Sequence, residues 1–169
     1  MFDSCVLGVD PGLAKLGLAV VVRDGRSTSL RWSTTVRTDA GRDEAARLLV
    51  LASAVRAAIA EHAPTSVAIE RVAWNTNQVS AMQVARATGA AMIAAAEAGL
   101  AVEEYGPTEV KIAVTGAGNA GKDQVRLALA RVHGLTDIPE QSDAADAAAV
   151  ALTHLLGARI RSLTRSEAR

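Results

Sequence analysis

Four carboxylates in the sequence have the surroundings and spacing that metal-assisted chemistry requires. Asp10 and Glu70 each follow a short apolar run of the kind that forms a buried strand. Asp143 and Asp146 are three residues apart at the start of a predicted helix, so their side chains share one face. Because open α/β sheets bind ligands beyond the carboxyl ends of their strands, these four side chains could meet in one crevice.

A cluster of this kind predicts a site for hard divalent cations. Two unit charges about 4 Å apart repel by about 4 kcal/mol at an effective dielectric constant of about 20. Bound Mg²⁺ or Mn²⁺ would relieve the repulsion, since both ions prefer oxygen ligands. Two such ions about 4 Å apart could hydrolyse a phosphodiester, one activating the water and the other stabilising the leaving oxygen. The three histidines are scattered, and with the single cysteine they form no zinc-binding pattern.

Each acidic motif also has an ordinary explanation when it is considered alone. The Asp-Pro-Gly sequence at residues 10–12 could be a common turn with a capping aspartate. The acidic pair at 143 and 146 could simply complement the dipole at a helix start, where Asp143 could also act as the cap. The argument for metal chemistry therefore depends on the four acids occurring together.

The order of apolar patterns predicts the elements that position these acids. Three strands within residues 5–37 form an antiparallel meander with a hairpin at Asp24-Gly25, and strands at 66–70 and 102–105 are joined by helical crossovers. This order predicts an α/β fold with a mixed five-stranded sheet and helices on both faces. The predicted helices are 42–62, 76–98, 108–114, 122–132 and 143–156.

Length and composition limit the class of protein. The 169 residues predict one domain over 1–158, and the Arg-, Ser- and Glu-rich segment 159–169 is expected to be a disordered tail. The N-terminus lacks the pattern of a signal peptide, and no apolar stretch reaches membrane-spanning length, so we expect a cytoplasmic protein without a membrane partner. A formal net charge of zero argues against a general polyanion binder, although local basic patches matter more than the total.

Four segments together resemble the RuvC family of bacterial Holliday-junction resolvases, which belongs to the ribonuclease H-like nuclease superfamily. They occur in that family's order and spacing, and the resemblance covers about residues 5–156. The segments are Leu-Gly-Val-Asp-Pro-Gly at 7–12, Ala-Ile-Glu-Arg-Val at 68–72, Gly-Ala-Gly-Asn-Ala-Gly-Lys at 116–122 and Ser-Asp-Ala-Ala-Asp-Ala at 142–147.

The resemblance implies a fold, an activity and a set of site residues. It implies a ribonuclease H-like, homodimeric, Mg²⁺-dependent endonuclease that nicks two opposed strands of a four-way DNA junction in recombination and repair. It assigns Asp10, Glu70, Asp143 and Asp146 as the catalytic metal ligands, with two ions in each active site. It also suggests the branch-migration proteins RuvA and RuvB as partners.

Basic residues around the expected cleft are candidates for DNA contacts. Lys111 and Lys122 match positions that handle DNA in the family, and Lys122 could also offset charge at the scissile phosphate. Arg71 and Arg86 could supply further phosphate contacts. The glycine-rich loop before Lys122 is not a nucleotide-binding P-loop, because the next residue is Asp123 rather than serine or threonine.

One position departs from the family pattern. Many relatives carry an aromatic residue three positions after the catalytic glutamate, where it is thought to wedge into the opened junction. This chain has Ala73 there and Trp74 next. Trp74 could stack on an unpaired base in its place, or it could pack at the start of the following helix.

The helix predicted at 76–98 has a face of small residues that suits close packing. Ala81, Ala85, Gly89 and Met92 could pack on the sheet or form a subunit interface. Because junction resolution cuts two strands symmetrically, a twofold dimer is expected, and we predict that it uses this face.

Three other functions compete with junction cleavage. A nuclease of the same fold could instead cut an RNA/DNA hybrid, and a non-catalytic scaffold could bind junctions without cutting them. The presence of all four acids disfavours the scaffold. An actin-like kinase or ATPase would need a second domain that this length does not provide.

Overall fold

The structure is a computed structural model that describes residues 4–72, 78–140 and 142–167. Its elements follow the predicted order, with three strands first and helices alternating with strands after them. The strands are β1 (Ser4–Asp10), β2 (Lys15–Asp24), β3 (Ser27–Arg37), β4 (Ser66–Glu70) and β5 (Ala101–Tyr105). The helices are α1 (Glu44–His62), α2 (Gln78–Glu97), α3 (Pro107–Thr115), α4 (Lys122–Arg131) and α5 (Ser142–Glu167). Residues 76 and 77, with which α2 was predicted to begin, lie outside the described residues.

The strands form one mixed sheet in the order β3-β2-β1-β4-β5. The first three pair antiparallel, whereas β4 runs parallel to both β1 and β5. Asp24 pairs with Ser27 across the β2–β3 turn, where Gly25 has a φ of 57° that glycine adopts without strain. The mixed five-stranded sheet and its hairpin are therefore confirmed, and β1 occupies the centre of the sheet.

Hydrophobic residues cover both faces of this sheet. On one face, Val6 and Ala68 of the sheet pack in a cluster with Leu129 of α4 and Leu152 of α5. The other face has a separate cluster in which α1 and α2 cover Leu7, Val9 and Ile69. Because side chains alternate along a strand, β1 contributes to both clusters. The prediction of helices on both faces is confirmed.

The helix α5 extends further than its apolar pattern predicts. Its helical backbone continues through Glu167, whereas a disordered tail is expected over 159–169. Arginine, leucine and glutamate are good helix formers, and extending an existing helix needs no new nucleation step. The division into a domain over 1–158 and a tail stays a prediction. Within the described ranges, none of the helices has the length and apolar composition required to cross a bilayer.

Candidate active site

Two of the predicted acids stand side by side at the carboxyl edge of the sheet. Val9 of β1 pairs with Ile69 of the parallel strand β4, so the next residues, Asp10 and Glu70, end neighbouring strands at the same level. Their side chains are hydrogen-bonded to each other. A bond between two carboxyl groups requires a proton, and the protonated Asp10 donates it to Glu70.

The other two acids reach this edge because α5 lies directly on the backbone of β1 and β2. A Cβ added at Gly8 would lie 2.0 Å from the carbonyl oxygen of Ala147. One added at Gly17 would lie 2.0 Å from the carbonyl oxygen of Asp143. No side chain separates the helix from the strands at these points, so the first turns of α5 bring Asp143 and Asp146 towards the end of β1.

The electrostatics of Asp10 indicate that the other three acids act on it. Burial, followed by the charge of Glu70 and then that of Asp146, raises the pKa of Asp10 to about 8. The hydrogen bond to Glu70 and the charge of Asp143 add to this effect. A carboxyl group normally ionises near pH 4, so this one keeps its proton at neutral pH. The structure thus brings the other three predicted acids within electrostatic reach of Asp10.

Glu70 experiences opposing influences from the same surroundings. Burial raises the pKa of Glu70, and the charge of Asp146 acts in the same direction. The hydrogen bond with Asp10 and the positive charges of Lys122 and Lys111 oppose that rise. Both predicted lysines therefore lie close enough to stabilise the ionised carboxylates.

Lys122 makes the strongest direct contact with the acidic cluster. It is the first residue of α4, which follows Gly121, and the Gly121 N–H donates to the Gln124 side chain at 2.8 Å. From this position Lys122 Nζ donates to Asp146 Oδ2 at 2.6 Å. That hydrogen bond raises the pKa of Lys122, although burial opposes the rise. The lysine remains a cation beside the carboxylates.

Two cavities meet at Asp10 and Glu70. The larger, of about 290 Å³, contains Lys111, Lys122 and Asp146. The smaller, of about 200 Å³, contains Arg71, and Pro107 borders both. The pair of strand-end acids therefore separates a space with two lysines from a space with one arginine. The remaining lining residues are Val110, Val125, Ala149 and Val150 in the larger cavity and Pro11, Val72 and Val84 in the smaller.

The remaining predicted DNA contacts have different surroundings. Arg71 is exposed, and its guanidinium lies 3.9 Å from Glu109 of α3. Arg86 donates to Glu44 of α1 at 2.6 Å and lines neither of the two cavities. Trp74, the candidate wedge, lies outside the described residues, as does Ala73. Roles in DNA binding for these residues stay predictions.

The donor chemistry of the cluster suits Mg²⁺ or Mn²⁺, since every candidate ligand atom is a carboxylate oxygen. Burial and repulsion from the neighbouring acids together keep Asp10 protonated, and a divalent cation would relieve the repulsion. Among the described residues, however, no three His, Cys, Asp or Glu side chains are placed to hold one ion as they stand. Lys122 neutralises Asp146 in this arrangement, so cation binding requires Asp146 to exchange its partner.

Sequence reasoning missed Gly8 and Gly17, on which α5 rests. A signal was available, since glycine inside a strand often marks close approach of another backbone. Both glycines interrupt apolar runs that otherwise read as uniform buried strands.

Comparison with known proteins adds independent evidence about the family. The family model for the crossover junction endodeoxyribonuclease RuvC matches residues 6–154. The crossover junction endodeoxyribonuclease RuvC of Leifsonia xyli subsp. xyli is 42% identical over 164 residues, which cover 96% of this chain and 79% of that protein.

Solved structures agree with this match. The T. thermophilus RuvC in complex with Holliday junction substrate has a TM-score of 0.86 and 36% identity, covering 93% of this chain and 96% of that one. The yeast mitochondrial Holliday junction resolvase Ydc2, at 11% identity and a TM-score of 0.66, shares the fold over 89% of this chain and 77% of that one. The ribonuclease H-like fold implied by the resemblance is thereby confirmed, and the chain belongs to the RuvC family of crossover junction endodeoxyribonucleases.

Proposed function

We propose that this chain resolves four-way DNA junctions by paired, symmetric nicks, through phosphodiester hydrolysis at a two-metal site. The observation that carries the proposal is the acidic cluster, in which burial and then the charges of Glu70, Asp146 and Asp143 raise the pKa of Asp10. In a member of the RuvC family, such a cluster at the carboxyl edge of the central strand is suited to binding the catalytic cations.

The proposed ligands are Asp10, Glu70, Asp143 and Asp146, with two Mg²⁺ or Mn²⁺ ions in each site. When bound, these ions supply an activated water and stabilise the leaving oxygen. Asp10 must give up its proton to become a ligand, and Lys122 must release Asp146. The freed ammonium of Lys122 is then available to a phosphate oxygen in the same cavity.

The two cavities suggest how a DNA strand crosses the site. Lys111 and Lys122 line the larger cavity, and Arg71 lines the smaller one on the other side of Asp10 and Glu70. A phosphodiester at the two acids would therefore have cationic side chains on both sides. Such contacts read the backbone and not the bases, which suits recognition of a junction by its shape.

The outward face of α2 supports a homodimer. Met82 and Ile93 are 55% and 59% exposed, and Val79 is 63% exposed. Residues 79, 82, 86, 89 and 93 form a stripe with the spacing of a helix–helix seam, and a Cβ at Gly89 would meet nothing within 4 Å. This stripe includes Gly89 of the predicted face, whereas Met92 packs against the core. An isologous dimer on this face would provide two equivalent sites for two strands.

Partners and location are proposed on the resemblance alone. RuvA and RuvB are the proposed protein partners, and the cytoplasm is the proposed location. Direct binding of this chain to each purified partner, with and without a junction, would test the first of these.

The decisive experiment compares an immobile synthetic four-way junction with a linear duplex and an RNA/DNA hybrid, each with and without Mg²⁺. We expect paired nicks in the junction only when Mg²⁺ is present. Asp10→Asn should lower cleavage by at least about 10³-fold while junction binding in EDTA is retained, because the ligand is lost but the basic residues are not. Asp24→Asn, in the hairpin at the opposite end of β2, is the matched control.

Each other outcome identifies a different function. Preferential cutting of the hybrid would assign the site to a different nuclease activity. Junction binding without cutting at any Mg²⁺ or Mn²⁺ concentration would make the protein a scaffold and overturn the enzyme proposal.

A further inference from the structure

We propose that Gly17 of β2 is a positioning residue for cleavage, because it sets how closely the first turn of α5 approaches the sheet. The inference rests on the proposed function and concerns the placement of Asp143 relative to Asp10. Gly17 touches neither DNA nor cation in this proposal and acts only through the helix.

The position of Gly17 links it to both acids. It pairs with Asp10 across β1 and β2, and residues directly opposite each other in an antiparallel pair point to the same face. A Cβ on Gly17 would lie 2.0 Å from the carbonyl oxygen of Asp143 and 2.4 Å from its carbonyl carbon. These are backbone atoms, so no side-chain rotation can make room. The first turn of α5 would have to move.

The required movement is large on the scale of the site. Ordinary contact for a Cβ begins at 3.4 Å, so a separation of 2.0 Å must grow by about 1.4 Å. This distance is close to one carbon–carbon bond of about 1.5 Å. Misplacement of a reacting geometry by about 1 Å can cost about 10²-fold in rate. One methyl group at Gly17 is therefore sufficient to separate Asp143 from the other acids.

Gly8 supports the same helix in a different place. A Cβ there would meet the carbonyl oxygen of Ala147 at 2.0 Å and the Ala151 side chain at 2.9 Å. Both contacts lie beyond the first turn, and Ala147 and Ala151 are fully buried. Substitution at Gly8 would therefore disturb the core, whereas substitution at Gly17 acts on the turn that carries Asp143.

The test is a double-mutant cycle in the full chain, which compares Gly17→Ala, Asp143→Glu and the combination of the two. Gly17→Ala should lower junction cleavage about 10²-fold and shift Mn²⁺ binding, followed by electron paramagnetic resonance, to higher concentration. Junction binding in EDTA should not change. The double variant Gly17→Ala/Asp143→Glu should cleave at least tenfold faster than Gly17→Ala alone. The glutamate side chain is longer by about the distance that the helix has moved.

Gly41→Ala is the matched control, since the nearest atoms to a Cβ there belong to the Asp39 side chain, at 3.4 Å or more. It should cut and bind Mn²⁺ like the parent. A purely structural role for Gly17 would lower stability but would not be rescued by lengthening an acid. Parental cleavage by Gly17→Ala, or failure of Asp143→Glu to rescue a folded Gly17→Ala protein, would overturn the proposal.

Asp143→Glu alone keeps the test valid if Gly17→Ala does not fold. Here the helix stays in place and the acid becomes too long, so cleavage and Mn²⁺ binding should both weaken. Parental values for both would overturn the positioning role. A parent protein that cuts no junction with Mg²⁺ would instead overturn the proposed function, so the two failures are distinguishable.

Discussion

Asp10 is the residue at which burial and charge combine most strongly. Its pKa of about 8 means that, without cations, the group holds a proton at pH values where an ordinary aspartate is ionised. The placement of Asp10 at the end of a buried strand could be predicted from the sequence, because an apolar run that ends in Asp-Pro-Gly is visible there. The proton shared with Glu70 could not be predicted, because it depends on the register of β1 against β4 and on the depth of burial.

The raised pKa of Asp10 predicts how stability depends on pH without cations. The folded form binds this proton more tightly than the unfolded form, whose pKa is near 3.8, so stability falls as pH rises from about 4 through about 8. At about 1.4 kcal/mol per pKa unit, the loss is at most about 6 kcal/mol, shared with Glu70. Urea unfolding in EDTA from pH 5 to 8.5 measures it. Asp10→Asn should flatten the dependence, and equal slopes for both proteins would contradict the prediction.

Lys122 should matter more for cleavage than for affinity. Lys122→Ala removes the cation beside Asp146 and the proposed phosphate contact, so we expect cleavage to fall about 10- to 10²-fold. Stability should change by less than about 1 kcal/mol, since the pair with Asp146 is partly exposed. Single-turnover kinetics on a labelled junction measure the first quantity, and thermal unfolding measures the second.

Arg126→Ala is the control for Lys122, because it removes a positive charge from the same helix at a residue that lines neither cavity at Asp10 and Glu70. We therefore expect Lys122→Ala to lower the cleavage rate much more than Arg126→Ala does. Equal losses in the two variants would indicate a general effect of charge and not a role at the scissile phosphate.

At the scale of the elements, hydrophobic patterns predicted which segments form strands and helices, and the bounds of β4, but not all of the other ends. The third strand begins at Ser27, three residues before the alternating pattern at Leu30 becomes clear, because pairing with β2 extends to the hairpin. Backbone hydrogen bonds define the end of a strand, and an end made of polar residues at a sheet edge gives no signal in a hydrophobicity pattern. The close packing of α5 on the backbone of β1 and β2 was missed for a related reason. Glycine has no side chain and therefore contributes nothing to a hydrophobicity pattern.

The exposed stripe on α2 predicts the subunit interface. Ile93→Glu would place a charge at the C-terminal end of the proposed seam, so we expect the dimer to dissociate at micromolar concentrations. Light scattering measures the mass, and a junction in a supercoiled plasmid reports whether both strands are cut in one binding event. We expect the variant to nick strands singly.

Leu127→Glu on α4 is the matched control, because Leu127 is 58% exposed on the opposite face of the sheet. It should remain dimeric. Dissociation of both variants, or of neither, would contradict an interface on α2.

Over the whole molecule, a formal charge of zero means that DNA binding depends on where the charges lie. Lys111 and Lys122 line the larger cavity at Asp10 and Glu70, and Arg71 lines the smaller one. Junction affinity should therefore fall steeply with salt, following counterion release. Lys111→Ala should reduce the slope of log affinity against log salt by about 1, measured by fluorescence anisotropy in EDTA, where Lys122 stays paired with Asp146. A flat response in the parent would contradict backbone recognition.

The hydrogen bond between Asp10 and Glu70 would link the proposed divalent ion uptake to the acidity of the solution. A carboxyl group that holds a proton near neutrality must release it before its oxygen can bind a metal. If the proposed site binds Mg²⁺, it would release hydrogen ions in exchange. Titration heats should vary with the ionisation enthalpy of the buffer, and the Mg²⁺ concentration for half-maximal cutting should increase in more acidic medium.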